Sequence, residues 1–264
     1  MADADALLEP TPAGLPVVIP PAGAAEPGDT GVMSLVDHLG ELRGRLFKAI
    51  LAVAVGTAIG FYFATPVRNR LIDLMPTPNG TQPIVQVLGP GDAFVIQLKI
   101  SIVIGIILAM PVLLYQVWSF VAPGLTPSER RTVRPWIPLA LVFFATGVAI
   151  AYFVLPFALT FLLGFTDNVL VAQFAAGPYF DFVTTMFLAF GLIMEFPILL
   201  VGLSRVGIVT SARLRESRRM AILGIAVFAA VATPGGDLVS PLVLGGTMYL
   251  LFEGTVLFIR RTGR

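Results

Sequence analysis

The chain has 264 residues, 56% of them hydrophobic and 12% charged, with a formal net charge of +1 and a mean hydropathy of +0.89. Soluble domains carry about a quarter charged residues, so this balance excludes an ordinary soluble domain and points to a polytopic membrane protein. Cysteine is absent and His38 is the single histidine, which excludes disulfides, thiolate chemistry and histidine-cluster metal sites and leaves little for a Ser-His-Asp triad.

In chain order, residues 1–30 hold six prolines and seven alanines, and the first Lys or Arg is Arg43. A secretory leader needs a basic start followed by an apolar run. Residues 1–32 are therefore expected to be a disordered cytoplasmic tail, followed by one transmembrane domain over 33–264. From Met33 the pattern turns helical: Leu35, Leu39, Leu42 and Leu46 fall on one stripe, with Glu41, Arg45 and Lys48 opposite. This predicts an amphipathic helix at the interface that runs into a first span over 46–64. Glu41 is an i,i+4 partner for Arg45 or a binding carboxylate, and spacing alone leaves both open. Gly56 and Gly60 form a GxxxG helix-packing pattern.

Residues 65–92 read as a polar, Pro/Gly-rich loop, and a second span is expected over 93–120. Lys99 near its start is expected to snorkel outward, and Pro111 to kink the helix. Thr126-Pro127-Ser128-Glu129 then reads as a capping box, with Glu129 folding back onto the cap. The third span is expected over 135–164, with Pro138 and Pro156 inside. The fourth covers 179–203 and contains Glu195 followed by Pro197. Two shorter runs, 220–232 and 238–259, complete six spans. The fifth has 13 residues, against the roughly 20 that cross an average bilayer, which implies local thinning or a recessed outer face. Asp237 is placed to N-cap the last helix, and Glu253 to approach the cytoplasmic interface.

The fold class expected is thus all-α, a polytopic membrane protein with six transmembrane helices. Arg43, Arg45 and Lys48 flank the first span, and Arg130, Arg131 and Arg134 follow the second. Arg205, Arg213, Arg215, Arg218 and Arg219 follow the fourth, and Arg260, Arg261 and Arg264 follow the sixth, so 14 of 17 Lys and Arg residues lie on one side. The positive-inside rule makes that side, and both termini, cytoplasmic. Glu41 and Glu129 then share the cytoplasmic interface, where two carboxylates suit a partner bearing two guanidinium groups. Phe120 and Trp118, one turn before the loop, suit an apolar residue beside them. A charge in mid-span costs about 2.5–3.5 kcal/mol on insertion scales. Glu195 is accordingly read as a polar anchor for a partner helix or a proton relay, with a bond to a neighbouring helix of the same chain as the plainer alternative.

HLGELRGRL (38–46), PVLLYQVWSFVAPGL (111–125) with the following ERR, FGLIMEFP (190–197), TPGGD (233–237) and LFE (251–253) occur in this order. Together they resemble the TatC family, the polytopic receptor subunit of the twin-arginine protein translocase. The sequence departs from that pattern at Met194, where an aromatic often stands, and at Thr126-Pro127, in place of a common Tyr-Lys pair. The resemblance implies a curved, glove-like shell in the inner membrane of a prokaryote. It further implies a receptor for twin-arginine signal peptides that assembles with TatA- and TatB-type single-span subunits, and with further copies of itself, to export folded proteins on the proton-motive force. Carried onto this chain, it makes Glu129 the principal signal contact and Phe120 its neighbour, with Glu41 and Arg43 in the same patch. Glu195 becomes an intramembrane docking site, and Phe94 and Pro66 functional positions near the first external loop. No enzyme activity, catalytic residue, cofactor, metal or nucleic-acid partner is expected, and no GxxxxGK[ST] occurs. The alternative function is a proton-coupled secondary transporter using Glu195. Such folds carry internal repeats with broken helices at matching positions, and no convincing repeat relates the two halves here.

Overall fold

The structure is a computed structural model and describes residues 35–77, 84–127, 130–131, 135–165, 173–205, 207, 209–233 and 237–261. The expected tail over 1–32 lies outside them. The elements in order are α1 (Leu35–Asp73), β1 (Ile84–Gln86), α2 (Asp92–Val121), a 3-10 turn (Ala122–Gly124), α3 (Trp136–Leu163), β2 (Gln173–Ala175), α4 (Ala176–Ile193), α5 (Phe196–Arg205), α6 (Ser211–Glu216), α7 (Arg218–Ala232) and α8 (Val239–Arg261). Five stretches, with α4 and α5 counted together, are long and apolar enough to cross a membrane. The sixth, α7, has 15 residues, a length of about 22 Å at 1.5 Å per residue, shorter than a hydrocarbon core of about 30 Å. The chain is a multi-pass, all-helical membrane protein with the expected six apolar segments.

Three local outcomes differ from the sequence reading. The first helix does not stop near Ala64 but continues through Pro66 to Asp73, so a stretch read as loop is helical. The fourth span is not one helix. It breaks at Met194 and Glu195 because Pro197 has no N–H for the Ile193 carbonyl and its ring crowds that oxygen. The turn is closed instead by Glu195 N–H to Leu192 O at 3.1 Å, and α5 restarts with Leu199 N–H to Glu195 O at 3.0 Å. Thirdly, the two loops at the C-terminal ends of α1 and α3 contain strands β1 and β2, which pair in parallel with Val85 opposite Phe174.

The segments are held by small residues. Lipid tails give helices little reason to associate, so close backbone approach has to supply the attraction. A Cβ on Gly56 would meet Gly105 O at 2.5 Å, one on Gly60 would meet Ser101 O at 2.5 Å, and one on Gly105 would meet Thr57 N at 2.5 Å. The GxxxG of α1 is thus the antiparallel seam to α2. A second seam joins α3 to α4, where Gly147 abuts the Phe190 carbonyl and Gly191 the Phe144 ring. Cross-links reinforce the same pairings. Gln97 Nε2 donates to Phe61 O at 3.1 Å, and Tyr179 Oη donates to the Leu71 carbonyl at 2.8 Å in a buried contact. Lys99, in the third turn of α2, forms an exposed ion pair with Asp181, in the second turn of α4, where the two helices pack side by side. On the last hairpin Arg218 pairs with Glu253 at 2.7 Å, and Asp237 Oδ2 accepts from Ser240 N–H at 2.6 Å as the expected cap.

Within its apolar window the α4–α5 stretch is 44% buried and α1 only 11%, so α4 is the central helix and α1 the peripheral one. Around α4 gather Phe180, Val183, Met186 and Phe190, with Ile100, Leu155 and Leu159 from its neighbours. The seam predicts a measurable asymmetry among glycines. Gly105→Val is expected to lower stability in detergent by about 1–3 kcal/mol through overpacking. Gly246→Ala, with nothing near its added Cβ, should stay within about 0.5 kcal/mol. Thermal melts of the two variants that coincide would remove the seam from the account.

Candidate functional site

The register of α1 against α2 brings the basic start of one helix beside the aromatic end of the other. On α2, Tyr115, Trp118, Ser119 and Ala122 follow at i, i+3, i+4 and i+7 and so share one face. Arg45 of α1 faces them, and Pro123, Arg130 and Arg131 close the space beyond the helix end. These eight residues line a cleft of about 730 Å³. The loop that forms its floor is tied down by Arg130, whose guanidinium donates to Pro123 O and to Leu125 O, both at 3.2 Å. Arg130 N–H donates to Thr126 O at 3.0 Å and Leu125 N–H to Ala122 O at 3.1 Å. Leu125 is buried beneath.

Glu41 stands one turn before Arg45, and the two form an ion pair. The i,i+4 partnership that spacing allowed is therefore present. The pair is half-buried, with Arg45 20% and Glu41 24% exposed. The other expected residues separate into groups. Glu129 lies outside the described residues, and its capping role with it. Phe120 is half-buried on α2 but does not line the cleft. Arg43 is exposed on another face of α1, over a shallow groove with Gly40, Gly44, Leu46, Phe47 and Ile50.

Phe94 and Pro66 are both exposed, and the antiparallel register sets them at one level of the α1–α2 pair. They lie at its opposite end, since the 24 residues of α2 between Phe94 and Trp118 span about 36 Å. Glu195 is half-buried at the break between α4 and α5, where its main chain opens α5 and its Oε1 has no hydrogen-bond partner among the described residues. The site residues named from sequence are thus three regions: the cleft end, the far end of the α1–α2 pair, and the α4–α5 break. Sequence reasoning missed Tyr115, Arg130 and Arg131 as lining residues, although the spacing of Tyr115 and Trp118 on one helical face was there to be read.

The cleft can hold a peptide segment with an apolar residue against the two rings, but the described charges that line it are three arginines, and Glu41, outside the lining, is already engaged by Arg45.

The family described as TatC, Sec-independent protein translocase protein, matches residues 37–246. The Sec-independent protein translocase protein TatC of Frankia casuarinae is 39% identical over 236 residues, covering 84% of this chain and 64% of that protein. The chain therefore spans just under two thirds of that relative's length. The TatC protein of Desulforapulum autotrophicum is 35% identical over 238 residues, covering 86% and 84%. A crystal structure of the twin-arginine translocase receptor TatC aligns with a TM-score of 0.73 at 34% identity, covering 86% of this chain and all of that one. A second crystal structure of the same receptor, in DDM, aligns with a TM-score of 0.75.

The loop that floors the cleft depends on one side chain. Arg130→Met is expected to speed amide exchange at Leu125 and Arg130 by about tenfold, the loss of roughly one charge-assisted bond. Unchanged exchange would mean that the loop holds its shape without that guanidinium.

Proposed function

The chain belongs to the TatC family of Sec-independent protein translocase proteins, and we propose that its cleft is where it receives twin-arginine signal peptides. The observation that carries this reading is the composition of the cleft. The guanidinium of Arg45, which pairs with Glu41 behind it in the chain, two aromatic rings and a loop fastened by Arg130 meet at the end of the bundle where basic residues gather. A signal entering there lays an apolar side chain on Tyr115 and Trp118 and presents its guanidinium groups to Glu41 and Glu129, whose carboxylates can accept paired N–H donors. Phe120, at the level of Glu41 in the α1–α2 register, supports the wall behind the rings, and Arg43 faces the headgroups beside it.

In this reading, which the distribution of Lys and Arg supports, the basic end is cytoplasmic and both termini lie on that side of a prokaryotic inner membrane. Binding starts an assembly. TatA- and TatB-type single-span subunits dock along the membrane-facing surface, with Glu195 as the polar anchor for one of them. Its place at a broken helix supports this, because a carboxylate at membrane depth needs a polar partner. Further copies of the chain complete the complex, Pro66 and Phe94 mark the far end as a second contact region, and the proton-motive force drives export of the folded cargo. The competing reading, a solute transporter using Glu195, predicts uptake into liposomes by the purified chain, and the receptor reading predicts none.

The test is binding of a labelled signal peptide to the detergent-solubilised protein. A peptide with consecutive arginines is expected to bind at least about tenfold more tightly than its twin-lysine version, because lysine offers a point charge where arginine offers a planar fork. Glu129→Gln and Glu41→Gln should each reduce the preference, Glu129→Gln more. Equal affinity for the two peptides would remove the cleft as the place where arginines are read.

A further inference from the structure

Glu41 does not wait with its carboxylate open. Its Oε1 accepts from both Nε (3.2 Å) and an Nη of Arg45, and the same Arg45 side chain forms part of the cleft wall, with Tyr115 and Trp118. Among the described residues a guanidinium thus engages this carboxylate, held at the lip of the recess into which another guanidinium is to be placed. We propose that Arg45 is an internal stand-in for a signal arginine, holding Glu41 until an incoming arginine displaces it. This rests on the reading that the cleft receives twin-arginine signals.

Three features of the geometry fit an exchange better than a fixed support. First, the pair lies within one helix at i,i+4, so breaking it opens no contact between helices. Secondly, pairs of this kind bias their equilibrium only about twofold, which makes the occupant replaceable. Thirdly, the cleft is rich in positive charge, with Arg130 and Arg131 beside Arg45. A displaced Arg45 is pushed toward solvent, and it returns when the peptide leaves. The arrangement also bears on selectivity. A carboxylate already engaged through the Nε and Nη edge of one guanidinium is oriented for that edge, and an ammonium group can replace the charge but not the rigid planar pair of donors. The same contact sets an affinity threshold, since any ligand must first compete with an arginine tethered one helical turn away.

The test compares twin-arginine and twin-lysine peptides on the wild type, Arg45→Gln, Lys48→Gln and Glu41→Gln/Arg45→Gln. Lys48 is exposed, three residues on and outside the cleft, so Lys48→Gln removes an equal charge without touching the pair. Arg45→Gln is expected to tighten twin-arginine binding about two- to fivefold and twin-lysine binding less. Lys48→Gln should give a smaller gain, and the Glu41→Gln background should abolish the gain from Arg45→Gln. The proposal is overturned if Arg45→Gln binds equally or more weakly, if Lys48→Gln matches it, or if the gain persists without Glu41. Should Arg45→Gln fail to give monodisperse protein, Arg45→Lys replaces it, with an intermediate gain expected and no gain counting against the proposal. A wild type that binds both peptides alike overturns the underlying reading of the cleft instead, whatever Arg45 does.

Discussion

The antiparallel seam between α1 and α2 is the constraint on which the cleft depends. Gly56 lies against Gly105 and Gly60 against Ser101, so the residue numbers of facing positions sum to 161. Followed toward the start of α1, the same register sets Arg45 opposite position 116, between Tyr115 and Trp118, and Glu41 opposite Phe120. Nothing at the cleft itself has to specify this alignment. Three glycines and a serine some 16–23 Å away do so, at 1.5 Å of rise per residue, because a side chain larger than a hydrogen at any of the three glycines would separate the backbones. In lipid this is an effective way to hold two helices, since the hydrophobic effect does not distinguish a neighbouring helix from an acyl chain.

The middle of the molecule obeys a different logic. The α4 helix is surrounded by other helices and packed with Phe180, Met186 and Phe190, yet it ends in a break two residues before Pro197. A proline at that position removes one backbone bond and crowds one carbonyl, and the chain accepts a tight turn at Met194 and Glu195 in exchange. A carboxylate at the turn gains a position no continuous helix offers: its own main chain starts the next helix while its side chain stays half-buried. The most buried of the apolar stretches thus interrupts its helix at the position where Glu195 stands.

Much of this was legible in the sequence. Second, third, fifth and sixth segments were expected at 93–120, 135–164, 220–232 and 238–259, and they occur at 92–121, 136–163, 218–232 and 239–261. Such agreement follows from composition, because a bilayer enforces apolar runs bounded by charge. The Asp237 cap and the Glu41–Arg45 spacing were equally readable, as both depend on residues within four positions. What escaped were features set by distant partners. Nothing local in Ile84–Gln86 marks it as the mate of Gln173–Ala175, and Lys99 alone gives no hint that Asp181, 82 residues on, would neutralise it. The Pro197 break was visible as a proline but not as a helix end, because prolines 66, 111 and 156 lie in helices that continue.

The lining of the cleft was harder to read than its ends for a different reason. Motif reading favours residues that are unusual for their surroundings, such as acids beside a membrane. The cleft is built largely from residues that are ordinary there: an aromatic pair at an interface and arginines on the basic side. Their significance comes from geometry, with Arg130 spent on two loop carbonyls and Arg45 on Glu41. A recess in which two of the three lining arginines are already engaged is less repulsive to a cationic ligand than its charge count implies, since those two guanidinium groups have part of their field answered by an oxygen close by. Selectivity at such a surface depends less on how many charges face the ligand than on which oxygens it can take from the arginines that hold them.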